Sequence, residues 1–392
     1  MGAAAREAVV KSSSIALHAG FVVTGMATTM LGPIVPTLEA RYHLYDAQVG
    51  ALFAAQFTGS VIAGTLSIAI ASRLGVRIAL TSGFLLLAGG IAVVAGTTMP
   101  LMALGAAMYG FGLGLLVPTT NLLIVTAAPH RAAAASSLLN VAWGVGALSW
   151  PGVVAIAAAI GQPMAAVWAL AVGCAAMAAV FSGVRFAVHW APRSNSTAAP
   201  SSNRDALIVC GALLFAYGTV EPALGGWIGP FTRRLDPSSA LWLFAVAAFW
   251  AGLTGGRLMI PLATRMMSES ALFAAGGSIA LVAILAIQIG ATPIVSAIGG
   301  AVAGVGLSPL FPITIARLSR AVRDRSAAVA GPLFALNGIG STVGPWLVGV
   351  LSTKTGSWRI GLGVPLVGAT LLLALHLFQR SGDGVQIRMP AP

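Results

Sequence analysis

The chain reads as long apolar runs separated by short polar interruptions. Runs of ~20 or more mostly apolar residues cover about 15–38, 46–72, 76–96, 101–127, 132–160, 163–186, 206–231, 238–264, 270–290, 293–316, 326–352 and 358–378. Each is long enough, as a helix, to cross the ~30 Å hydrocarbon layer of a bilayer. None shows the strict alternation of a half-buried strand. The pattern predicts an all-α polytopic membrane protein with twelve transmembrane helices. Arg6 and Lys11 precede the first run, but that run is too long for a cleaved leader and leads straight into another span.

Composition excludes the main alternatives. Hydrophobic residues make up 58% of the 392 and charged residues 8%, against roughly a quarter charged in soluble domains. A soluble enzyme would lack its polar shell, and a disordered chain would not be this apolar. The net charge of +12 does not point to nucleic acid, because the basic residues lie singly or in short clusters between apolar runs rather than on one soluble face. Placing the N-terminus inside puts fifteen Lys and Arg in cytoplasmic segments and five in outer loops, with Arg257 inside a span. That asymmetry predicts a multi-pass plasma-membrane protein with both termini cytoplasmic. Cys174 and Cys210 both fall in apolar runs without ligand-like neighbours, so neither a disulfide framework nor a metal site is expected.

The Pro-, Ser- and Asn-rich stretch 191–205 reads as a flexible cytoplasmic linker. It divides the chain into an N-terminal six-helix bundle, 1–190, and a C-terminal one, 206–392. The halves repeat. Under a shift of 192 to 194 positions, Gly64 and Arg73 fall on Gly256 and Arg265, Gly110 and Pro118 on Gly304 and Pro312, and Arg131 on Arg325. Gly144, Gly146 and Pro151 fall on Gly338, Gly340 and Pro345. Two parallel six-span repeats form two pseudo-symmetric bundles, and this architecture resembles the major facilitator superfamily, in which a midplane site lies between halves that rock around it.

Local motifs carry the same resemblance. Gly64-Thr-Leu-Ser-Ile-Ala-Ile-Ala-Ser72-Arg73-Leu74-Gly75-Val76-Arg77 is similar to the superfamily's loop motif between the second and third spans, with Ser72 where an Asp is usual; Arg73, Gly75 and Arg77 remain as gating or structural residues. Tyr217-Gly-Thr-Val-Glu221-Pro-Ala-Leu-Gly-Gly226-Trp227 and Phe249-Trp250-Ala-Gly-Leu-Thr-Gly-Gly-Arg257 resemble motifs of sugar porters near fucose permease and the sodium-dependent glucose transporter-like proteins, as does Phe311-Pro312-Ile313-Thr314. That resemblance implies sugar transport. Two acids typical of the group are missing: the first span has none, and the fourth reads Val117-Pro118-Thr119-Thr120-Asn121. Symport through two carboxylates is therefore not implied.

Eight of the nine acids lie in loops, ends or the linker, Glu39, Asp46 and Asp236 among them. Glu221 alone sits within a span, ~15 residues and ~22 Å along it. A carboxylate at that depth costs several kcal/mol unless paired, hydrated or protonated. Pro222, Gly225 and Gly226 follow it, and predict a broken helix whose freed carbonyls line a cavity. Glu221 is a candidate for substrate binding and for coupling to H+ or Na+; a purely structural carboxyl is the alternative. Arg257 is close enough to the cytoplasmic end to snorkel there and is expected as an inner-gate or structural residue, with substrate contact as the alternative. Gln56, Asn121, Asn140, Tyr217 and Asn337 supply neutral polar groups inside spans, either for a solute or as glue between helices. Trp143, Trp227 and Trp250 are candidate platforms for a sugar's C–H face or ordinary packing residues. His18 and His376 lie near the cytoplasmic ends as lesser candidates for a proton role.

These readings converge on a secondary transporter of a small neutral polyhydroxylated solute, monosaccharide-like, working as a monomer in lipid without a cofactor beyond a possible coupling ion. Efflux of hydrophobic drugs or metabolites is the alternative. A membrane-embedded enzyme would need several convergent ionisable groups at one depth, and a sensor would need an output domain, so both rank below transport.

Overall fold

The structure is a computed structural model that describes residues 3–96, 98–127, 132–184, 186, 204–290, 292–322 and 326–383. The linker 191–203 and the loop arginines Arg131 and Arg325 lie outside the described residues. Within them, all regular structure is helical: α1 (Ala3–Thr28), α2 (Leu31–Tyr42), α3 (Asp46–Leu74), α4 (Val76–Ala95), α5 (Met99–Ala127), α6 (Ala132–Ala159), α7 (Pro163–Gly183), α8 (Arg204–Leu235), α9 (Leu241–Met266), α10 (Glu269–Gly290), α11 (Pro293–Leu307), α12 (Leu310–Val322), α13 (Ser326–Thr355), α14 (Trp358–Gly361) and α15 (Gly363–Asp383). Among the described residues, ten helices are long and apolar enough to cross a membrane, eleven if the bent pair α1–α2 is one span. With α13 they make twelve rods.

Local chemistry sets the ends of the rods. Pro163 and Pro293 open α7 and α11, where their missing N–H groups cost nothing. Gly75, at φ 95°, reverses the chain between α3 and α4. The single sharp break is in the first span and not, as the sequence suggested, in the seventh. α1 and α2 meet at 44°. Pro33 lacks the N–H that would bond the Thr29 carbonyl, and neighbouring carbonyls take side-chain donors instead. Gln56 Nε2 donates to the Thr28 carbonyl at 3.1 Å, and Trp150 Nε1 to the Met30 carbonyl at 3.1 Å. α8 runs unbroken through Pro222 and Pro230. Those prolines still release two carbonyls, on Gly218 and Gly226. Both glycines line the central cavity, and the rod there stays unbroken.

α1–α7 pack among themselves and α8–α15 do the same, and the two sets meet through α3 with α13, α6 with α9, and α2 with α8. The internal packing repeats. Gly59 of α3 faces the Ala107 carbonyl of α5 while Gly110 faces Gln56; displaced by 193 or 194 positions, Gly252 of α9 faces the Ala301 carbonyl of α11 while Gly304 faces Phe249. Gly25 and Gly146 seal α1 against α6, and Gly218 and Gly340 seal α8 against α13 in the same way. At each crossing an added Cβ would collide with backbone of the partner helix. In lipid no hydrophobic drive pulls helices together, so this closeness supplies the dispersion contacts that do. The outer surface is apolar, as lipid requires: Ile156, Val172, Ile289 and Phe378 are all exposed.

The crossings make a signed prediction. Gly304→Ala is expected to lower stability by about 1–3 kcal/mol through overpacking. Gly173→Ala on α7, where nothing lies within 4 Å, should leave it unchanged or raise it, because Ala is the better helix former. Thermal unfolding midpoints of the purified proteins in detergent measure both, and equal shifts would contradict the packing account.

Candidate functional site

A cavity of about 180 Å³ lies between the halves, where the α1–α2 break, α3, α6, α8, α9 and α13 converge. Its one charged corner comes from a single half. Arg257 on α9 shares a face with Leu253 and Trp250, one and two turns back. This face packs toward α8. The guanidinium therefore turns inward: Nη2 lies 3.3 Å from Glu221 Oε2 and donates to Tyr217 Oη at 3.0 Å. This overrides the snorkelling route to the membrane surface, since an unpaired Glu221 in the interior is the stronger pull. Glu221 on the cavity wall is thus paired with Arg257, which stands behind it and is not itself part of the lining.

The remaining wall is neutral. Trp143 and Trp250 meet edge to face across the halves, ring centres 5.7 Å apart and planes at 76°. Trp143 Nε1 donates to Thr28 Oγ1 at 3.4 Å. Three buried polar atoms of the wall have no partner: Gln56 Oε1, Asn337 Oδ1 and Trp250 Nε1. A buried group left unbonded costs about 1–3 kcal/mol, and residues of this wall carry two such acceptors and one such donor. That arrangement suits a ligand able both to donate and to accept.

Not every sequence candidate reaches this space. Asn121 and Asn140 turn back on their own helices, bonding the Val117 and Ser136 carbonyls at 2.9 Å each, and neither lines the cavity. Trp227 is fully buried beside it: Nε1 donates to the Pro345 carbonyl at 2.9 Å and its ring packs on Phe53 and Trp358. It is a plug rather than a platform. Gly225 and Gly226 work as points of close approach, their absent side chains leaving room for Trp250 and Phe53. Arg73 and Arg77 are exposed beside Gly75, remote from the cavity. Ser72, where the related motif has an acid, bonds the Ala69 carbonyl of its own helix. His18 bonds the Ser14 carbonyl, and His376 lies between Ser270 and Arg317, both away from the cavity.

The structure adds residues that sequence reasoning passed over: Thr28, Thr29, Phe53, Phe57 and Ser341 line the cavity. The repeat itself carried the signal. The shift of 193 or 194 that superposes the glycine crossings places Thr28 on Glu221, Phe57 on Trp250 and Trp143 on Asn337. Each pair occupies matching walls.

A second cluster closes one end. Arg234, in the last turn of α8, bonds Glu39 of α2 at 2.6 Å and Asp46 of α3 at 2.9 Å, and its guanidinium lies 3.6 Å from the Trp358 ring centre. The Ala47 amide donates to Thr353 Oγ1 at 2.8 Å beside it. The bonds to Glu39 and Asp46 and the Ala47–Thr353 bond join the halves, while the stacking on Trp358 holds the guanidinium from within its own half. Glu39 and Asp46 thus belong to helix ends and an ion cluster, not to free loops. A cluster at a sealed end with the Trp227 plug beneath it makes this the closed face of the molecule.

Residues 17–331 match the Major Facilitator Superfamily. "Uncharacterized transporter YycB" of Bacillus subtilis is 23% identical over 376 residues, covering 91% of this chain and 89% of its own length. Among solved structures, the xylose transporter XylE from E. coli in a partially occluded inward-open conformation is similar over 95% of this chain and 98% of its own, with 12% identity and a TM-score of 0.71. The peptide transporter POT in complex with sulfate is similar over 95% of each chain, with 14% identity and a TM-score of 0.75. Similarity at that level fixes the fold and leaves the solute open.

Two measurements test this geometry. Arg257→Gln should destabilise the protein by about 1–3 kcal/mol because it strands Glu221; adding Glu221→Gln should restore most of the loss, and additive effects in thermal unfolding would contradict the pairing. Arg234→Gln should loosen the closed face. Losing about 1 kcal/mol there shifts the population roughly fivefold, so a Phe53→Cys reporter should react several-fold faster with a membrane-impermeant maleimide.

Proposed function

Because the chain belongs to the Major Facilitator Superfamily, we propose that it is a secondary transporter whose central cavity binds a small, neutral, polyhydroxylated solute of monosaccharide type. The observation that carries this reading is a cavity whose wall holds Glu221, neutralised by Arg257 behind it, two tryptophan faces, and residues with three unpartnered neutral polar atoms. A charged solute would have to compete with the pair. A hydroxylated one answers the free acceptors of Gln56 and Asn337 and the free donor of Trp250, and its C–H face packs on indole. The volume of about 180 Å³ lies below the ~300 Å³ at which drug-sized pockets begin, which favours a compact solute over a bulky hydrophobic drug. The sugar-porter motifs around Tyr217, Glu221 and Arg257 agree with this choice.

Coupling runs through Glu221. A proton arriving there neutralises the carboxylate and frees Arg257 and Tyr217 to bond the solute; a sodium ion would instead have to sit beside a guanidinium. Proton coupling is thus the simpler mechanism. By the distribution of Lys and Arg the Arg234 face is the outer one, both termini are cytoplasmic, and the cavity in this state is shut to the outside. Each chain has its own complete cavity, so a monomer suffices.

Reconstituted liposomes test the reading. Radiolabelled monosaccharides should accumulate in the wild type when an inward-directed proton gradient is imposed. Glu221→Gln should lower gradient-driven uptake roughly tenfold or more, a change of about 1.4 kcal/mol, while solute exchange persists. Full-rate driven uptake by the mutant would remove the coupling role. Extrusion of hydrophobic dyes with no sugar uptake would replace the solute class with the efflux alternative.

A further inference from the structure

On the face closed by Arg234, a second and larger hollow of about 820 Å³ opens on the side of the molecule. Its walls come from both halves: the end of α2, the turn joining α6 to α7, and the α8–α9 corner. Two arginines stand at its edge, Arg41 in the last turn of α2 and Arg233 in the last turn of α8. Arg41 is exposed and stacks beside Tyr42, its guanidinium 5.5 Å from the ring centre; Arg233 stacks beside Trp242 at 5.3 Å. No acid lines the hollow, and among the described residues neither arginine forms a salt bridge, in contrast to the adjacent Arg234. The first turn of α7 forms another wall, with the positive end of its backbone dipole toward the same space.

Below this cationic rim the surface is apolar. Trp168 of α7 is 48% exposed within the hollow, and one turn along the same face Val172 is 67% exposed. Ala158 and Val154 of α6 continue the floor. A cationic rim at helix ends, a half-exposed tryptophan at interfacial depth and an apolar stripe running along the span have the sequence of charges and surfaces found in one phospholipid molecule, headgroup first and acyl chain after. We propose that this hollow binds an anionic glycerophospholipid, with its phosphodiester between Arg41 and Arg233 and an acyl chain along Trp168 and Val172. Because Arg41 belongs to one half and Arg233 to the other, the bound lipid ties the halves together on the face where the Arg234 cluster already joins them. It therefore favours the state that is closed there. The inference is independent of the transported solute.

The test compares dioleoyl phosphatidylglycerol with dioleoyl phosphatidylcholine, each added to the purified protein in detergent. The anionic lipid should raise the thermal midpoint by about 2 °C or more over the zwitterionic one, as binding to the folded state requires. Arg41→Gln combined with Arg233→Gln should abolish that difference while keeping the midpoint in phosphatidylcholine. Native mass spectrometry of the wild type gives a reading that does not depend on a folded variant: phosphatidylglycerol adducts should survive collision energies that strip phosphatidylcholine. Equal midpoints and equal adduct survival for the two lipids would overturn the proposal. So would lipid selectivity that persists in the folded double variant. Stabilisation by free glycerol phosphate matching that of the lipid would assign the arginines to a soluble anion and overturn it as well.

Discussion

Everything in this bundle depends on how closely its helices approach. Water drives apolar helices together, but lipid does not, so a membrane bundle must hold by contact and by the few hydrogen bonds it can make between rods. Here the contact is backbone to backbone. Gly59 with Gly110 and Gly252 with Gly304 seal the α3–α5 and α9–α11 pairs, and Gly25 with Gly146 and Gly218 with Gly340 seal α1–α6 and α8–α13. Each pair of glycines lies reciprocally, one on either helix, so one crossing holds two points. The result is two stiff halves. The contacts between halves include one crossing of the same kind, Gly50 with Gly349 on α3 and α13, and add an ion cluster and aromatic rings.

Against that symmetric frame the chemistry is asymmetric. Thr28 and Glu221 occupy matching positions, as do Phe57 and Trp250, and Trp143 and Asn337. One half places a hydroxyl where the other places a carboxylate, and only the second half supplies a base to meet it. The unpaired half uses its break instead. Because Pro33 interrupts the first span, the carbonyls of Thr28 and Met30 are free to orient Gln56 and Trp150. The two halves thus offer the same cavity different tools, one a fixed set of dipoles and the other a titratable pair.

The sequence made the frame legible and blurred the fittings. Apolar runs of spanning length give the rods almost without interpretation, and scarce charge singles out Glu221 by elimination. The internal repeat was also visible, through glycines and prolines whose backbone duties are the same in both halves. The break was misplaced because composition cannot tell which proline a bundle absorbs. Pro222 and Pro230 sit within a 32-residue helix packed on several neighbours, whereas Pro33 follows a threonine pair at a corner where side-chain donors stand ready. Asn121 and Asn140 looked like ligand groups because an amide in lipid must find a partner, and the i−4 carbonyl of the same helix proved to be the nearest. Glu39 and Asp46 were read as ordinary loop acids because their partner, Arg234, is nearly two hundred residues away.

A distinction between contacts within a half and contacts across the halves decides what each ion pair can do. Glu221 and Arg257 stand on α8 and α9, within one rigid half, so their distance does not change when the halves move. Protonation can alter what the pair offers a solute, but it cannot by itself swing the molecule. Arg234 reaches from α8 to α2 and α3, across the divide, so that cluster must break whenever the closed face opens. The link between the two is the cavity. Gln56 and Trp143 belong to one half, while Glu221, Trp250 and Asn337 belong to the other, and a solute that bonds both sets is itself a cross-half contact. Freeing Arg257 changes the strength of that contact and so changes the balance against the Arg234 cluster. Under the coupling proposed for Glu221, a residue confined to one half controls the orientation of both through a solute that touches the two walls at once.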